Sequence, residues 1–320
     1  MIYEGILKGA AARGACTLST GINKTVDNGA FILGDNGEKY LEETPIWTGY
    51  LTHWQDKKVR ARFLPQHDYE TGKPIVLMWP GTPAPAYPYF ELYYNERLVM
   101  YPISVCGHNA IDVNGEVFNF SHLLNENEVM SPEEYFYRPA LGEFAPAPGK
   151  SRVDLRNKEK PYYDRFGRLF MRTIHALRVE WPDSPAQRSN REAKLFLEKL
   201  ANYFHHKLQQ VHAAPRHPRK PEQYRDFNFF TESCTTIIRD GLRQAGFPSI
   251  RGILPRDMFV NAAHHFLQEQ KKENFRVTLY MMPQLKTTET PYSKPTPLIN
   301  PLNRFYQKAR GACTLLTHGL

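Results

Sequence analysis

Short runs mixing apolar and polar residues dominate the first 80 positions. Residues 2–7 (IYEGIL), 30–33 (AFIL), 47–51 (WTGYL), 59–63 (VRARF) and 75–79 (IVLMW) have the length and the aromatic or β-branched content of strands. Between them stand the turn signals Asp27-Asn28-Gly29, Gly34-Asp35-Asn36-Gly37 and Thr71-Gly72-Lys73-Pro74. About five short strands in so short a stretch predict a small, compact β-barrel of OB-like type. Residues 80–88 (PGTPAPAYP) read as a stiff proline-rich linker. The pattern divides the chain into a β domain over 1–80 and a second domain over 88–320.

Beyond the linker the periods mix. Residues 89–105 read as paired strands leading into a hairpin at 108–121. Asn114-Gly115 is the hairpin signal, because a type I′ turn needs positive φ at both central positions. A two-residue turn sets Val113 opposite Glu116, Asp112 opposite Val117, Ala110 opposite Asn119 and His108 opposite Ser121. Helical spacing takes over in 189–212, where Ala193, Phe196, Leu197, Leu200, Phe204, Leu208 and Val211 form one apolar stripe. Phe227, Phe229 and Phe230 read as a short aromatic strand. Ile237, Ile238, Leu242 and Ala245 then share a helix face, with Ser233 as N-cap and Gly246 as the left-handed residue that ends the helix. A further helix begins at Pro255, and residues 275–281 (FRVTLYM) form a strand. Residues 131–162 read as loop-rich, and 291–301 as extended. The second domain is therefore expected to be α+β.

Composition narrows the chemistry. A 41% apolar share with 13% aromatics is enough for packed cores. The net charge of +8 favours anionic partners, including acidic envelope polymers. The basic residues are dispersed, with one local cluster in 216–225, so no nucleic-acid face is expected. No run of about 18 apolar residues is present, so no transmembrane segment is expected. The first residues lack the basic start and apolar core of a signal peptide. Cys16, Cys106, Cys234 and Cys313 include no CxxC pair and are too few for a disulfide scaffold. His205, His206 and His212 share the long helix, but adjacent helical residues point about 100° apart, and no carboxylate falls at a matching spacing. No metal or cofactor is expected. The segment ARGACTL occurs at both 12–18 and 309–315, and no physical argument assigns it a role.

With Ser233 as N-cap, Cys234 takes the first helical position. The unpaired N–H groups and the helix dipole there favour the thiolate, which is the nucleophile. A lone cysteine is otherwise a small buried hydrophobe, so the assignment needs a base. His108 supplies one. Side chains alternate along a strand, so His108, Ala110 and Asp112 share a face with Val117, Asn119 and Ser121. His108 and Asn119 form a diagonal pair within side-chain reach. A thiol, an imidazole and an orienting polar group make a Cys–His–polar triad. Asn119 is the first candidate for its third member, with Ser121 and His122 next. Cys106 lies on the His108 strand face but has no helix terminus to activate it, and is expected in the core.

Residues 107–120 (GHNAIDVNGEVFNF) and 227–242 (FNFFTESCTTIIRDGL) together resemble the circularly permuted papain-like cysteine hydrolases, the superfamily of the NlpC-type cell-wall amidases and endopeptidases. In that superfamily the His strand precedes the nucleophile helix. The SCTT run is similar to Asn-Cys-Thr-Thr-like turns in papain-like domains of some bacterial envelope proteins, with Ser233 standing where those carry Asn. The resemblance covers about residues 88–260. It implies an antiparallel sheet packed on helices, with Cys234 as nucleophile, His108 as base and Asn119 as the third residue by position. It further implies hydrolysis of an amide bond in bacterial peptidoglycan. Without a signal peptide, such an enzyme is expected to be made in the cytoplasm. It could then be exported as a type VI effector that acts in a target cell's periplasm, with an immunity or secretion partner. The alternatives are a thiol acyltransferase or lipid hydrolase similar to lecithin:retinol acyltransferase, and an inactive binding module on the same fold.

Overall fold

The structure is a computed structural model that describes residues 1–9, 22–23, 29–67, 73–81, 85–97, 106–139, 142–143, 167–182, 187–216, 218–221, 223–270 and 275–287. Both copies of the repeated heptapeptide, Cys16, Cys313 and the proline-rich 291–301 lie outside the described residues. So do 98–105 and most of the loop-rich 131–162.

The strands are β1 (Tyr3–Lys8), β2 (Ile22–Asn23), β3 (Phe31–Leu33), β4 (Lys39–Tyr40), β5 (Lys58–His67), β6 (Pro74–Pro80), β7 (Tyr89–Asn95), β8 (His108–Val113), β9 (Glu116–Asn119), β10 (Glu128–Met130), β11 (Gly142–Glu143), β12 (Ile174–Glu180) and β13 (Arg276–Met282). The α-helices are α1 (Thr48–Trp54), α2 (Pro132–Tyr137), α3 (Arg168–Met171), α4 (Gln187–Ala213), α5 (Cys234–Ala245) and α6 (Pro255–Glu269). They form two compact units. The first comprises Met1–Ala84, Glu133–Met171 and Leu285–Thr290; the second comprises Pro85–Pro132, Arg172–Gln284 and Pro291–Leu320.

The first unit holds a five-stranded antiparallel sheet in the order β4-β3-β1-β5-β6. Four of the five strands read from the pattern are present. The fifth, residues 47–51, is instead the start of α1. Trp47, Tyr50, Leu51 and Trp54 follow a helical spacing, and all four are buried. A five-residue window shows only their aromatic content, whereas eight residues show the period. Phe170 of α3 packs edge-on against Trp47 at 4.8 Å between ring centres, and the Tyr50 hydroxyl donates to the Tyr137 carbonyl. These contacts explain why Glu133–Met171 joins this unit although it lies far along the chain.

The second unit is built on a six-stranded antiparallel sheet ordered β10-β9-β8-β7-β12-β13. One face packs on α4, α5 and α6. Phe90, Leu92, Ile111, Val113, Phe118, Phe120, Leu177 and Val179 meet the stripes Leu197/Leu200/Phe204, Ile237/Ile238/Leu242 and Phe259/Phe266 there. The opposite face carries Tyr89, Glu91, Tyr93, Asp112 and Asn119, which are buried as well. The β8–β9 hairpin turns at Asn114 (φ 51°) and Gly115 (φ 93°), and its register pairs Val113 with Glu116 and Ala110 with Asn119, as the turn chemistry predicts.

The aromatic run before Cys234 is not a strand. The Phe230 N–H donates to Asn228 Oδ1, and the backbones of Asn228 and Glu232 exchange N–H···O bonds of 3.4 and 2.8 Å. The segment closes on itself and leaves Phe229 and Phe230 40% and 63% exposed, their rings perpendicular. Alternating burial, which the strand expectation required, is absent from it.

Candidate functional site

The site is assembled where α5 begins against β8. Ser233 is extended (φ −112°, ψ 170°) and its Oγ accepts from the Thr236 N–H, while Thr236 Oγ1 accepts from the Ser233 N–H at 2.8 Å. This reciprocal capping box fixes where the helix starts and sets Cys234 at its first position. Thr235 points the other way and donates from Oγ1 to Asn109 Oδ1 at 3.0 Å. Asn109 in turn donates from Nδ2 to the Tyr93 carbonyl at 3.0 Å. The first turn of α5 is thereby tied, through buried groups, to the residue that follows His108.

The Cys234 sulfur lies 3.8 Å from Thr235 Oγ1, and the backbone N–H of Asn109 is near enough to favour its thiolate. Burial pushes the thiol up, against the lowering effects of the Asn109 N–H and Thr235. This corrects the expectation of a thiol depressed by the helix terminus. Desolvation of the charged form outweighs the Asn109 N–H, Thr235 and the charge of Arg172.

On the hairpin, the His108 Nε2 bonds Asn119 Oδ1 at 2.6 Å. Asn119 Nδ2 donates to the Glu126 carbonyl at 2.6 Å. That carbonyl can only accept, so the amide is oriented with its oxygen toward His108. The bond to Asn119 then requires a proton on Nε2, which leaves Nδ1 as the basic nitrogen of the neutral ring.

The other candidates have different partners. Ser121 Oγ donates to Glu126 Oε2 at 2.6 Å, and His122 packs edge-on against Phe227. Of these candidates for the third position, Asn119 is the one bonded to the His108 ring. Ser121 and His122 shape the loop instead: the Tyr224 N–H donates to the His122 carbonyl at 2.9 Å, which draws the segment leading to Cys234 against the end of β9. Cys106 is half-buried, and burial pushes its thiol up. His205 and His212 contact Glu116 and the Asn127 carbonyl, tying α4 to the hairpin and to the loop after it.

The structure thus brings His108 to Asn119, and the first turn of α5 to Asn109. Among the described residues the side-chain hydrogen-bond partner of the sulfur is Thr235. Sequence reasoning missed Asn109 and Thr235. Their signal was a polar residue at a helix-facing strand position and a second hydroxyl beside the cysteine. It also missed His175, buried on the helix face and bonded from Nε2 to Glu96 Oε1 at 2.9 Å.

Chemically, the arrangement offers a thiol at a helix N-terminus and an imidazole, bonded through Nε2 to Asn119, on the residue before the Asn109 that anchors the first turn of α5. The N–H groups of the first helical turn, which lack intrahelical acceptors, offer donors for an oxyanion. Comparison of the chain with family models, curated proteins and solved structures finds no match.

Proposed function

We propose that the protein is a cysteine hydrolase of the permuted papain-like type that cleaves an amide bond in bacterial peptidoglycan. The observation that carries this reading is the bond from Thr235, beside Cys234, to Asn109, the residue immediately after a histidine whose Nε2 is held by Asn119. The order of His strand before Cys helix, and helices packed on one face of an antiparallel sheet, also support the papain-like assignment. For the first unit, five antiparallel strands support the OB-like reading by strand number alone.

In the reaction, Cys234 Sγ forms a bond to the carbonyl carbon while His108 Nδ1 takes the thiol proton. Because burial holds the thiol up, the sulfur keeps its proton at rest and proton transfer accompanies attack. The base–nucleophile hydrogen bond tightens when substrate binds, as resting sites are often loose. The oxyanion is met by the Cys234 N–H at the helix terminus. Collapse breaks the C–N bond, and the imidazolium returns the proton to the leaving amine. Water then attacks the thioester with His108 as base, releasing a carboxylic acid and the thiol. The charge of +8 suits an acidic wall polymer.

Incubation of purified peptidoglycan with the protein, followed by mass spectrometry of the soluble fragments, tests this. The wild type is expected to release fragments with a new amine and a new carboxylate, heavier in sum by one water. Cys234→Ala should release none while melting within about 1 kcal/mol of the wild type, the range of mild substitutions. Equal release by Cys234→Ala, or no release by the wild type, counts against the reading.

A further inference from the structure

At the end of the second unit where α5 begins, large apolar side chains face water. Phe229 and Phe230, in the loop that leads to Cys234, are 40% and 63% exposed, and Ile253, in the loop between α5 and α6, is 40% exposed. Both loops border the start of α5. The first runs straight into the helix through Ser233. The second is laid along the helix by Arg243, whose Nε donates to the Ile250 carbonyl at 2.7 Å, and by Arg239, whose Nη1 donates to the Gly252 carbonyl at 3.1 Å. Ile250 thus lies beside the third turn and Gly252 beside the second. The chain is heading back toward the start of α5 when it reaches Ile253. Apolar groups gathered in one place mark an interaction surface, whereas scattered ones need no explanation.

The phenyl rings are held out by the loop itself. The Phe230 N–H donates to Asn228 Oδ1 and the Glu232 N–H to the Asn228 carbonyl, each at 2.8 Å, and Lys207 of α4 fastens Glu232 through a bond of 2.9 Å. The rings stand 5.4 Å apart and perpendicular, which makes a wedge rather than a flat platform.

Charge indicates the partner. Just upstream, Arg216, Arg219, Lys220 and Arg225 are exposed. The carboxylates of the stretch 216–226 are Glu222 and Asp226, so it is positive. Buried Tyr224 pins it, because its N–H donates to the His122 carbonyl at 2.9 Å. Arg251 is a further exposed cation, two residues before Ile253. Phenyl and aliphatic side chains bordered by Arg and Lys suit the boundary between the headgroups and acyl chains of an anionic bilayer. A sugar polymer calls for an open ring face, and perpendicular rings share none. Among the described residues no helix is long and apolar enough to cross a membrane, so the contact is peripheral.

We propose that this end of the second unit docks on an anionic lipid bilayer, with Phe229, Phe230 and Ile253 entering the acyl boundary and the basic stretch lying on the headgroups. Docking sets the Cys234 end of the unit at the membrane and requires no turnover.

Flotation of the full chain with phosphatidylcholine vesicles, with and without about one part in four of phosphatidylglycerol, at low and high salt, tests this. The chain should bind the anionic vesicles about tenfold or more tighter than the neutral ones, and high salt should weaken that binding. Phe229→Ser with Phe230→Ser should weaken it by about tenfold or more at an unchanged denaturation midpoint. Arg216→Gln, Lys220→Gln and Arg225→Gln together should abolish the preference for anionic vesicles. Absence of flotation, equal binding to the two kinds of vesicle, or undiminished binding of the folded Phe variant overturns the proposal. Sedimentation with insoluble peptidoglycan through the same two phenyl rings, without flotation, also overturns it and assigns the wedge to the wall. Vesicle binding and release of wall fragments are read separately, so this proposal and the hydrolase reading fail independently.

Discussion

Asn119 does two things with one amide. Its oxygen holds His108 Nε2, and its nitrogen satisfies the Glu126 carbonyl. Asn119→Ala removes both, leaving polar groups unmatched in a buried setting at a cost of about 1–3 kcal/mol. The loss of turnover should exceed what that destabilisation explains, because the bond that fixes a proton on Nε2 is then gone. Measuring kcat on the folded variant beside its denaturation midpoint separates the two. A fall in stability with kcat unchanged would make Asn119 a structural residue only. The Ser233–Thr236 capping box was legible at Ser233, whose residue type announces an N-cap. The partnership of Thr235 with Asn109 was not, because it joins positions 126 apart in sequence.

At the scale of elements, β8 carries a second polar feature. Asp112 is 1% exposed; its Oδ2 accepts from the Tyr89 hydroxyl at 2.8 Å and its Oδ1 from the Gly115 N–H at 2.7 Å. Burial, opposed by these bonds and reinforced by Glu91, pushes its carboxyl up to about 7. An unfolded aspartate titrates near 3.9. Between those values the folded state holds a proton that the unfolded state has released. This contribution to stability is present in full below about pH 4, is lost as pH rises to about 7, and then stays constant. The window amounts to on the order of 4 kcal/mol. Asp112→Asn should therefore stabilise the protein at pH 8 and much less at pH 4, read as shifts of the urea midpoint. Equal shifts at the two pH values would show that Asp112 is not the titrating group. Packing of α5 on α4 depends in turn on Gly241, where an added Cβ would fall 2.7 Å from ring atoms of both Tyr203 and Phe204. Gly241→Ala should cost about 1–3 kcal/mol through overpacking, although alanine favours helix by about 1 kcal/mol. Chemical denaturation checks it, and a stabilised variant would contradict the packing described.

Over the whole molecule, the long-period features were the readable ones. The α4 stripe, the α5 stripe and the Asn-Gly hairpin, with its register, are each encoded within about a dozen residues. The first boundary between units, at Ala84 and Pro85, falls inside the proline-rich stretch that composition marks out. The return of Glu133–Met171 and Leu285–Thr290 to the first unit was invisible, because it is decided by ring packing and main-chain contacts between distant segments. Misreading residues 47–51 and 227–230 has a common cause. Aromatic content was weighed over windows too short to show a helical period in one case, or a closed turn in the other. The direction of the Cys234 titration was likewise beyond the sequence, since burial, which decides it, is a tertiary property.

The central claim is that His108 serves as the base for Cys234. It is tested most directly by the rate of iodoacetamide alkylation at Cys234, resolved from Cys16, Cys106 and Cys313 by peptide mapping of the folded chain, for wild type and His108→Ala across pH 5 to 9. With burial raising the thiol, alkylation at neutral pH needs a proton acceptor. The wild type should label Cys234 faster than the variant near pH 7, by about tenfold or more, with rates converging at high pH where the thiolate forms unaided. Identical rates at every pH in two folded proteins would contradict the account.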